Sequence, residues 1–261
     1  MQVVHTGNRR SLENYRDLLL VLFQKEFKIR YKQKVLGYLW SIANPLANAA
    51  IYYFAFSVIM GIREENYILF LITGLFAWQW FSNAVGSSPK LFVGNSLIKK
   101  IAFPRILIPL SASLNHMVHF ILSIPVIILF LAIHNAIPSV HWLWGIPVLL
   151  TIHLMMSLGL SLLFASLNLF LRDIERLVSI LVHFTFYLTP ILYSEDLIPP
   201  DYKNYIFLNP VAPLIISWRN LFLDGTIMPL YMLASFGYAL IFFGIGYFVY
   251  NKLSWKFAEV I

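Results

Sequence analysis

The sequence predicts an all-α polytopic membrane protein, and three of its features carry that prediction. Of the 261 residues, 59% are hydrophobic and only 12% are charged, whereas a soluble globular domain carries about 25% charged residues. Several apolar runs reach the ~20 residues that a helix needs to cross the hydrocarbon core of a bilayer. The Lys and Arg residues lie between these runs rather than inside them.

Six membrane-spanning helices are predicted within a single transmembrane domain that covers residues 1–261. The spans are residues 36–60, 67–89, 106–133, 142–171, 177–193 and 230–250. Of the 19 Lys and Arg residues, 16 lie before the first span, after the last span, in the second connection (90–105) or in the fourth connection (172–176). Positive residues concentrate on the cytoplasmic side of membrane proteins, so both termini are predicted to lie in the cytoplasm. The protein is predicted to lie in the cell (inner) membrane.

The N-terminal residues 1–35 predict an amphipathic helix that lies on the cytoplasmic surface. Leu12 and Leu19 fall near one face of this helix, while Lys25 and Lys28 recur on another face. A helix of this kind is anchored by burial of its apolar face and by anionic lipid. The same surface can also support a cytoplasmic partner, and the two roles are compatible.

The predicted extracytoplasmic segment 194–229 has the composition of short helices that enter the membrane only part-way. Asn209 can cap such a helix, Pro210 suits its first turn, and Asp224 with Gly225 suits its end. The roughly 12 apolar-rich positions of this helix are too few to span a bilayer. The segment either re-enters the membrane buried against protein or lies at the interface, and re-entry is favoured.

A charged turn follows the fourth span, after a stretch from Ile106 to Leu171 without any Asp, Glu, Lys or Arg. Its four charged residues are Arg172, Asp173, Glu175 and Arg176. A solvated turn would explain the charges alone. The alternation of signs at spacings of one, three and four residues favours ion pairing and a defined turn.

Four stretches carry a family resemblance. They are RYKQKVLGYLWSIANPL at 30–46, KKIAFPRILIPL at 99–110, LFLRDIERLVSIL at 169–181, and FYLTPILYSEDLIP with LNPVAPLIISWRNLFLDG at 186–225. Together, in order and at suitable spacing, they resemble the membrane permease of ABC-2 type transporters that export polysaccharides such as O-antigen, capsule or teichoic acid chains. The resemblance covers nearly the whole chain.

The resemblance implies a homodimer of six-helix subunits that forms a wide conduit for a lipid-linked polysaccharide and is paired with two copies of a cytoplasmic ABC ATPase. In such permeases the segment between the second and third helices engages the ATPase. We expect the charged turn to brace that segment through an ion pair of Asp173 or Glu175 with a basic residue of the N-terminal helix or of that segment. The residues assigned to ATPase coupling are therefore Lys99, Lys100, Phe103, Pro104, Arg105, Arg172, Asp173, Glu175 and Arg176.

No nucleotide site of its own is predicted for the chain, because no glycine begins the pattern G-x-x-x-x-G-K-[S/T]. The chain is expected to hold no cofactor, and ATP and Mg²⁺ are expected on the partner ATPase. An ion gradient is a poor energy source here because no Asp or Glu lies inside any predicted span. No catalytic residue is assigned, and the chain is predicted to be a transport subunit rather than an enzyme.

Two further classes of site are disfavoured. The chain has no cysteine, and its span histidines His116, His119, His153 and His183 lack the carboxylates or thiolates that complete a metal site. Their expected role is hydrogen bonding between helices. Nucleic-acid binding is also disfavoured, because the net charge of +7 is divided among membrane-flanking segments instead of forming one basic groove.

Aromatic residues of the first, second and fifth spans are candidates for lining a conduit, because the C–H faces of sugar rings stack on aromatic rings. The candidates are Tyr52, Tyr53, Phe56, Trp78, Trp80, Phe186 and Tyr187. An interfacial belt of Trp and Tyr is the competing explanation. The faces that these side chains occupy are left open by the sequence.

The resulting prediction is a permease subunit of an ATP-driven exporter of lipid-linked polysaccharide. One alternative is an ABC-2 exporter of drugs or other lipids, and another is a membrane-embedded enzyme that modifies glycans. The sequence leaves open the identity of the glycan, the presence of a glycan-binding domain on the ATPase and the resting conformation.

Overall fold

A computed structural model describes residues 15–26, 39–61, 66–94 and 103–260, and every regular element among them is a helix. The helices are α1 (15–26), α2 (Leu39–Tyr53), α3 (Tyr67–Ser87), α4 (Leu107–Ile121), α5 (Ile124–Ile133), α6 (Trp142–Phe170), α7 (Ile174–Leu188), α8 (Ala212–Leu223), α9 (Pro229–Leu253) and α10 (Phe257–Val260). A π-helical turn, Phe54–Ile59, extends α2, and 3₁₀ turns cover Ser88–Lys90, Glu195–Leu197, Pro200–Leu208 and Ser254–Lys256. The predicted all-α class is confirmed.

Five of the predicted spans correspond to helices that are long and apolar enough to cross a membrane. These are Leu39–Ile59, Tyr67–Lys90, Leu107–Ile133, Trp142–Phe170 and Pro229–Lys256. The third of them consists of α4 and α5, which meet at Leu122 and Ser123, and Pro125 lies in the first turn of α5. A polytopic membrane protein is confirmed.

The predicted fifth span, 177–193, is not helical over its whole length. The helix there is α7, whose 15 residues correspond to about 22 Å at 1.5 Å per residue, less than the ~30 Å of a hydrocarbon core. It ends at Thr189, whose backbone is extended, because a residue before proline is pushed out of the helical region and Pro190 follows. Residues 190–192 are buried against the bundle instead.

The segment after α7 forms a bent pair, in which the 3₁₀ helix Pro200–Leu208 and α8 meet at 107°. The predicted short helix is present, but Pro213 lies in its first turn and Pro210 precedes it. Asn209 accepts a hydrogen bond from the Val211 N–H at 3.0 Å. The predicted end is confirmed by the left-handed backbone of Gly225, at φ +61°.

Helix α8 lies in the middle of the bundle, and its residues from Ala212 to Phe222 are all buried. The Trp218 indole N–H donates to His153 Nδ1 at 3.2 Å. His153 is eleven residues from the start of α6, which is about 16 Å along the helix axis. The hydrophobic core is therefore centred on α3, α6 and α8.

The bundle has two distinct ends. The charged end contains Lys90, Arg105, the turn 171–173 and Lys256, and it is held by contacts such as that between the Phe92 and Phe257 rings, whose centroids lie 4.8 Å apart. The loop end contains the turns near residue 139 and residues 189–209. There the Ser139 hydroxyl donates to the Gly225 carbonyl at 3.1 Å.

The predicted N-terminal helix is described only as α1, whose Leu22 is buried in a cluster at the charged end. Leu12 and Lys28 lie outside the described residues. The rest of the predicted interface helix therefore stays a prediction.

Candidate functional site

An open groove with a volume of about 540 Å³ lies between α2, α3 and α7. Within each of these helices the lining residues recur at spacings of three or four, which places them on one helical face. The lining residues are Asn44, Pro45, Asn48 and Tyr52 of α2, Leu75, Trp78, Gln79, Ser82, Asn83 and Gly86 of α3, and Ser179, Val182, His183, Phe186 and Tyr187 of α7. Three helical faces thus converge on one open cleft.

Four of the seven predicted conduit aromatics line this groove: Tyr52, Trp78, Phe186 and Tyr187. The Phe186 ring is at their centre. Its centroid lies 6.0 Å from that of Tyr52, 5.5 Å from that of Trp78 and 5.2 Å from that of Tyr187. The wall therefore presents a continuous aromatic cluster that joins all three helices.

The other three predicted aromatics lie elsewhere. Trp80 is 2% exposed and stacks on His153 with ring centroids 3.7 Å apart, because two residues of helix turn it to the face of α3 opposite Trp78. Tyr53 packs beside Tyr67 outside the groove. Phe56 contacts Tyr52 but does not line the cavity.

Four neutral amide side chains share the groove wall with the aromatics, and sequence reasoning missed them. They are Asn44, Asn48, Gln79 and Asn83, each pair separated by one helical turn. That spacing within apolar helices was the available signal. Among the described residues, no lining side chain is Asp, Glu, Lys or Arg. This part of the wall offers aromatic faces and uncharged hydrogen-bonding groups, which suit C–H faces and hydroxyl groups of sugars.

The span histidines make hydrogen bonds, two of them between helices as predicted. His153 accepts from Trp218, and His116 Nε2 lies 3.4 Å from the Ser87 hydroxyl. His183 Nδ1 instead lies 2.7 Å from the Ser179 carbonyl in its own helix. Within the described ranges, no group of three or more His, Asp or Glu side chains could hold a metal ion.

The charged turn makes the ion pair that the sequence predicted. Glu175 Oε1 lies 2.8 Å from Lys90 Nζ, so Glu175 rather than Asp173 forms the link to the second connection. Arg172, Asp173 and Arg176 are exposed. The charged turn and the end of α3 are therefore neighbours at the charged end.

The other predicted coupling residues lie on the second connection. Lys99 and Lys100 fall outside the described residues, while Phe103 packs against the cluster at the charged end. Arg105 donates to the Ser254 carbonyl, and its guanidinium lies 5.8 Å from the centre of the Phe257 ring. Phe103 and Arg105 are thus packed at the charged end, where Arg105 contacts the C-terminal segment.

Arg219 is buried in α8, within the segment 194–229 that the sequence predicted to be extracytoplasmic. Its guanidinium donates to the Pro190 carbonyl at 2.7 Å and to the Ile191 carbonyl at 3.3 Å, and it lies 3.5 Å from the centre of the Phe70 ring. Burial raises the pKa of the nearby Asp224 carboxyl, and the Arg219 charge opposes that rise. Arg219 therefore ties α8 and α3 to the segment that ends α7.

The chain matches the family model for the ABC-2 type transporter over residues 17–223. It is 45% identical to the O-antigen export system permease protein RfbA of Klebsiella pneumoniae over 94% of this chain and 95% of that protein. It is 32% identical to the protein of the same name from Myxococcus xanthus, over 82% of this chain and 84% of that protein. Identity to the polysialic acid transport protein KpsM of Escherichia coli is 23%, over 86% and 89% of the two chains.

Proposed function

The chain belongs to the ABC-2 type transporter family, and from that premise we propose that it is the permease subunit of an ATP-driven exporter of lipid-linked polysaccharide. The names of its relatives include O-antigen export and polysialic acid transport. O-antigen and polysialic acid are both long glycans. The observation that carries the proposal is the groove between α2, α3 and α7, whose wall has the chemistry of a sugar-binding surface.

The groove wall suits a glycan that must move rather than stay bound. Aromatic faces such as those of Trp78 and Phe186 can stack on a sugar ring without fixing its position along the groove. Amides such as those of Asn48 and Asn83 exchange hydrogen bonds with hydroxyl groups. The described part of the wall carries no Asp, Glu, Lys or Arg, which avoids strong binding at one point and supports passage of a polymer.

The transport unit in this proposal is a homodimer with twofold symmetry. A single subunit leaves its groove open between α2 and α7, and these two helices carry exposed apolar side chains, such as Ile51 and Phe184. Equivalent surfaces of two copies meet in a twofold dimer. Contact through α2 and α7 would close the two grooves into one conduit.

The charged end is proposed to face the cytoplasm, so that both termini are cytoplasmic and the protein lies in the inner membrane. Positive residues favour that side, and Lys90, Arg105, Arg172 and Lys256 all lie there. Two copies of a cytoplasmic ABC ATPase, which bind ATP and Mg²⁺, would dock on this end. The nine coupling residues from Lys99 to Arg176 remain proposals for that contact.

Helix α8 is proposed to re-enter the membrane from the extracytoplasmic side. Its burial and its contact with His153 support this depth, and Arg219 connects it to the end of α7. Irregular backbone at membrane depth is tolerated where it is buried in protein. The segment 189–209 would then border the exit of the conduit.

The proposal is tested by export in cells that lack the gene for this chain and receive it back together with its ATPase. Lipid-linked glycan should reach the extracytoplasmic face only when both proteins are present and the ATPase is active. A strain with an ATPase unable to hydrolyse ATP is the control, and it should accumulate glycan on the cytoplasmic leaflet. Surface glycan that is unchanged without this chain, or export of small amphiphiles alone, contradicts the proposal.

A further inference from the structure

Asn168 is a buried amide near the end of α6 whose side chain joins two other helices. Its Nδ2 donates to the Pro89 carbonyl at 2.9 Å, and its Oδ1 accepts from the Glu175 backbone N–H at 3.0 Å. The residue is 2% exposed. Both halves of the amide are therefore used, one on each side.

The bond to Glu175 replaces a cap that α7 lacks. The first backbone N–H groups of a helix have no acceptor within the helix, and the residue before α7, Asp173, makes no side-chain capping bond. Asn168 supplies that acceptor from a neighbouring helix. The direction in which α7 leaves the turn is consequently set by α6.

The bond to Pro89 attaches the same amide to the end of α3. Pro89 lies in the 3₁₀ turn Ser88–Lys90, directly before the second connection. Glu175 is four residues from Ser179, and Pro89 is three residues from Gly86, and both Ser179 and Gly86 line the groove. Asn168 therefore joins the two lining helices one helical turn from the groove.

The ion pair between Lys90 and Glu175 runs parallel to this link and is much more exposed, with 68% and 46% of the two side chains accessible. Water and salt screen such a pair, and its contribution is small. The Asn168 amide is buried and shielded from water. A hydrogen bond in the protein interior is electrostatically stronger than one in water. Of the two contacts, Asn168 is thus better placed to hold α3 and α7 at a fixed separation.

We propose that Asn168 is a positioning residue, which fixes the spacing of α3 and α7 at the mouth of the groove and transmits movement of the second connection to α7. This role rests on the proposed export function. When the ATPase displaces the second connection, the end of α3 moves with it. Because the amide holds Pro89 and Glu175 together, the start of α7 follows.

The test compares three variants in the complete complex with its ATPase. Asn168→Leu keeps the approximate volume and removes both hydrogen bonds, whereas Asn168→Asp keeps the acceptor for the Glu175 N–H and loses the donor to Pro89. Ser166→Ala is the matched control. Ser166 is buried in the same helix, and its hydroxyl has no hydrogen-bond partner among the described residues.

The measurement is the amount of glycan exported per ATP hydrolysed, which a purely structural role would not change. Asn168→Leu should assemble normally and hydrolyse ATP, with this ratio reduced at least fivefold, because the variant removes two hydrogen bonds and the net loss of one already corresponds to about that factor. Asn168→Asp should show a smaller reduction, and Ser166→Ala none. An unchanged ratio in Asn168→Leu overturns the proposal.

The remaining outcomes are also decisive. If Asn168→Leu does not assemble, Asn168→Asp decides, and an unchanged ratio in that variant overturns the proposal. If neither Asn168→Leu nor Asn168→Asp assembles, the role of Asn168 is purely structural, and this outcome also overturns the proposal. Absence of glycan export by the unmodified complex instead counts against the proposed function, so the two failures are distinguishable.

Discussion

Gly246 of α9 lies directly against the backbone of Gly159 in α6, so closely that a Cβ added at Gly246 would be 1.9 Å from the Gly159 carbonyl oxygen. A Cβ at Gly159 would in turn lie 2.4 Å from the Phe243 nitrogen. Both obstacles are backbone atoms, which no side-chain rotation can move. Small residues allow membrane helices to approach closely, and this crossing fixes α9 on α6.

Gly246→Ala should therefore separate α6 from α9 and lower the amount of folded protein in the membrane. The matched control is Gly244→Ala, which lies two residues away in the same helix and would meet nothing within 4 Å. The measurement is the monodisperse yield after extraction into detergent. Equal yields for the two variants would show that the helix crossing tolerates a methyl group.

Aromatic residues of the groove should be needed for export but not for folding. Tyr187→Ala and Tyr52→Ala each remove one ring from the wall, so a sliding glycan loses a stacking partner worth about 0.5–1.5 kcal/mol. Neither side chain is fully buried, and Tyr187 is 66% exposed. Export should fall several-fold while the protein level stays normal. Phe248→Ala is the control, because this side chain is 67% exposed on α9, which does not line the groove. Normal export by Tyr187→Ala and Tyr52→Ala argues that the glycan passes elsewhere.

Arg219 should stabilise the end of α7 in a way that lysine cannot replace. Arg219→Leu leaves the Pro190 and Ile191 carbonyls without their donor, at a cost of about 1–3 kcal/mol for each buried group left unsatisfied. Arg219→Lys keeps the charge but loses the planar fork that bonds to two acceptors and stacks on a ring. The thermal unfolding midpoint in detergent should be highest for the unmodified protein, lower for Arg219→Lys and lowest for Arg219→Leu. Equal unfolding midpoints for the three proteins would show that Arg219 does not stabilise the end of α7.

Gly74 offers an independent probe of the same contact. A Cβ at Gly74 would lie 2.8 Å from Arg219 Nη2, so Gly74→Ala should displace the guanidinium and reproduce part of the Arg219→Lys defect. Gly237→Ala is the control, since a Cβ at Gly237 meets nothing within 4 Å.

The proposed orientation can be tested because the chain contains no cysteine. Single cysteines at Arg172 and Lys256 should be protected from an impermeant thiol reagent applied from the extracytoplasmic side. Cysteines at Ile137 and Lys203 should be labelled, because both lie at the loop end and are exposed. Labelling of the cysteine at Arg172 would place the charged turn outside the cytoplasm and would contradict the proposed orientation.

The sequence predicted the fold class because composition and charge placement depend on the whole chain rather than on single contacts. Sequence reasoning did not assign the faces of α3, because this helix is buried almost all round and has no charged side to orient it. The polar pair Gln79 and Asn83, which marks the groove face, was not used. Trp78 and Trp80 therefore looked equivalent, although only Trp78 lines the groove. The burial of Arg219 depends on carbonyls 28 and 29 residues away in the chain, and no local pattern encodes such a contact.

The end of α7 was different, because its signal was present in the sequence. Pro190 follows Thr189, and a helix usually ends at the residue before a proline. The apolar run simply continued past that point, and hydrophobicity alone extended the predicted span to residue 193. A proline inside an apolar run should therefore limit the predicted helix.

The proposed dimer predicts which helices of two copies meet. Outer faces of α2 and α7 carry exposed apolar side chains, and their contact would close the open groove. Helix α9 is packed on α6 by the Gly159 crossing and contributes no residue to the groove. In this cysteine-free chain, single cysteines introduced along the exposed face of α7, at Ile180, Phe184 and Leu188, should yield an oxidative cross-link between copies at one or more positions. Phe248→Cys on α9 is the matched control, since its side chain has nearly the same exposure as Phe184, 67% against 65%, and it should remain uncross-linked. Cross-linking confined to α9 would require a dimer in which the two grooves stay apart, and the single shared conduit would have to be abandoned.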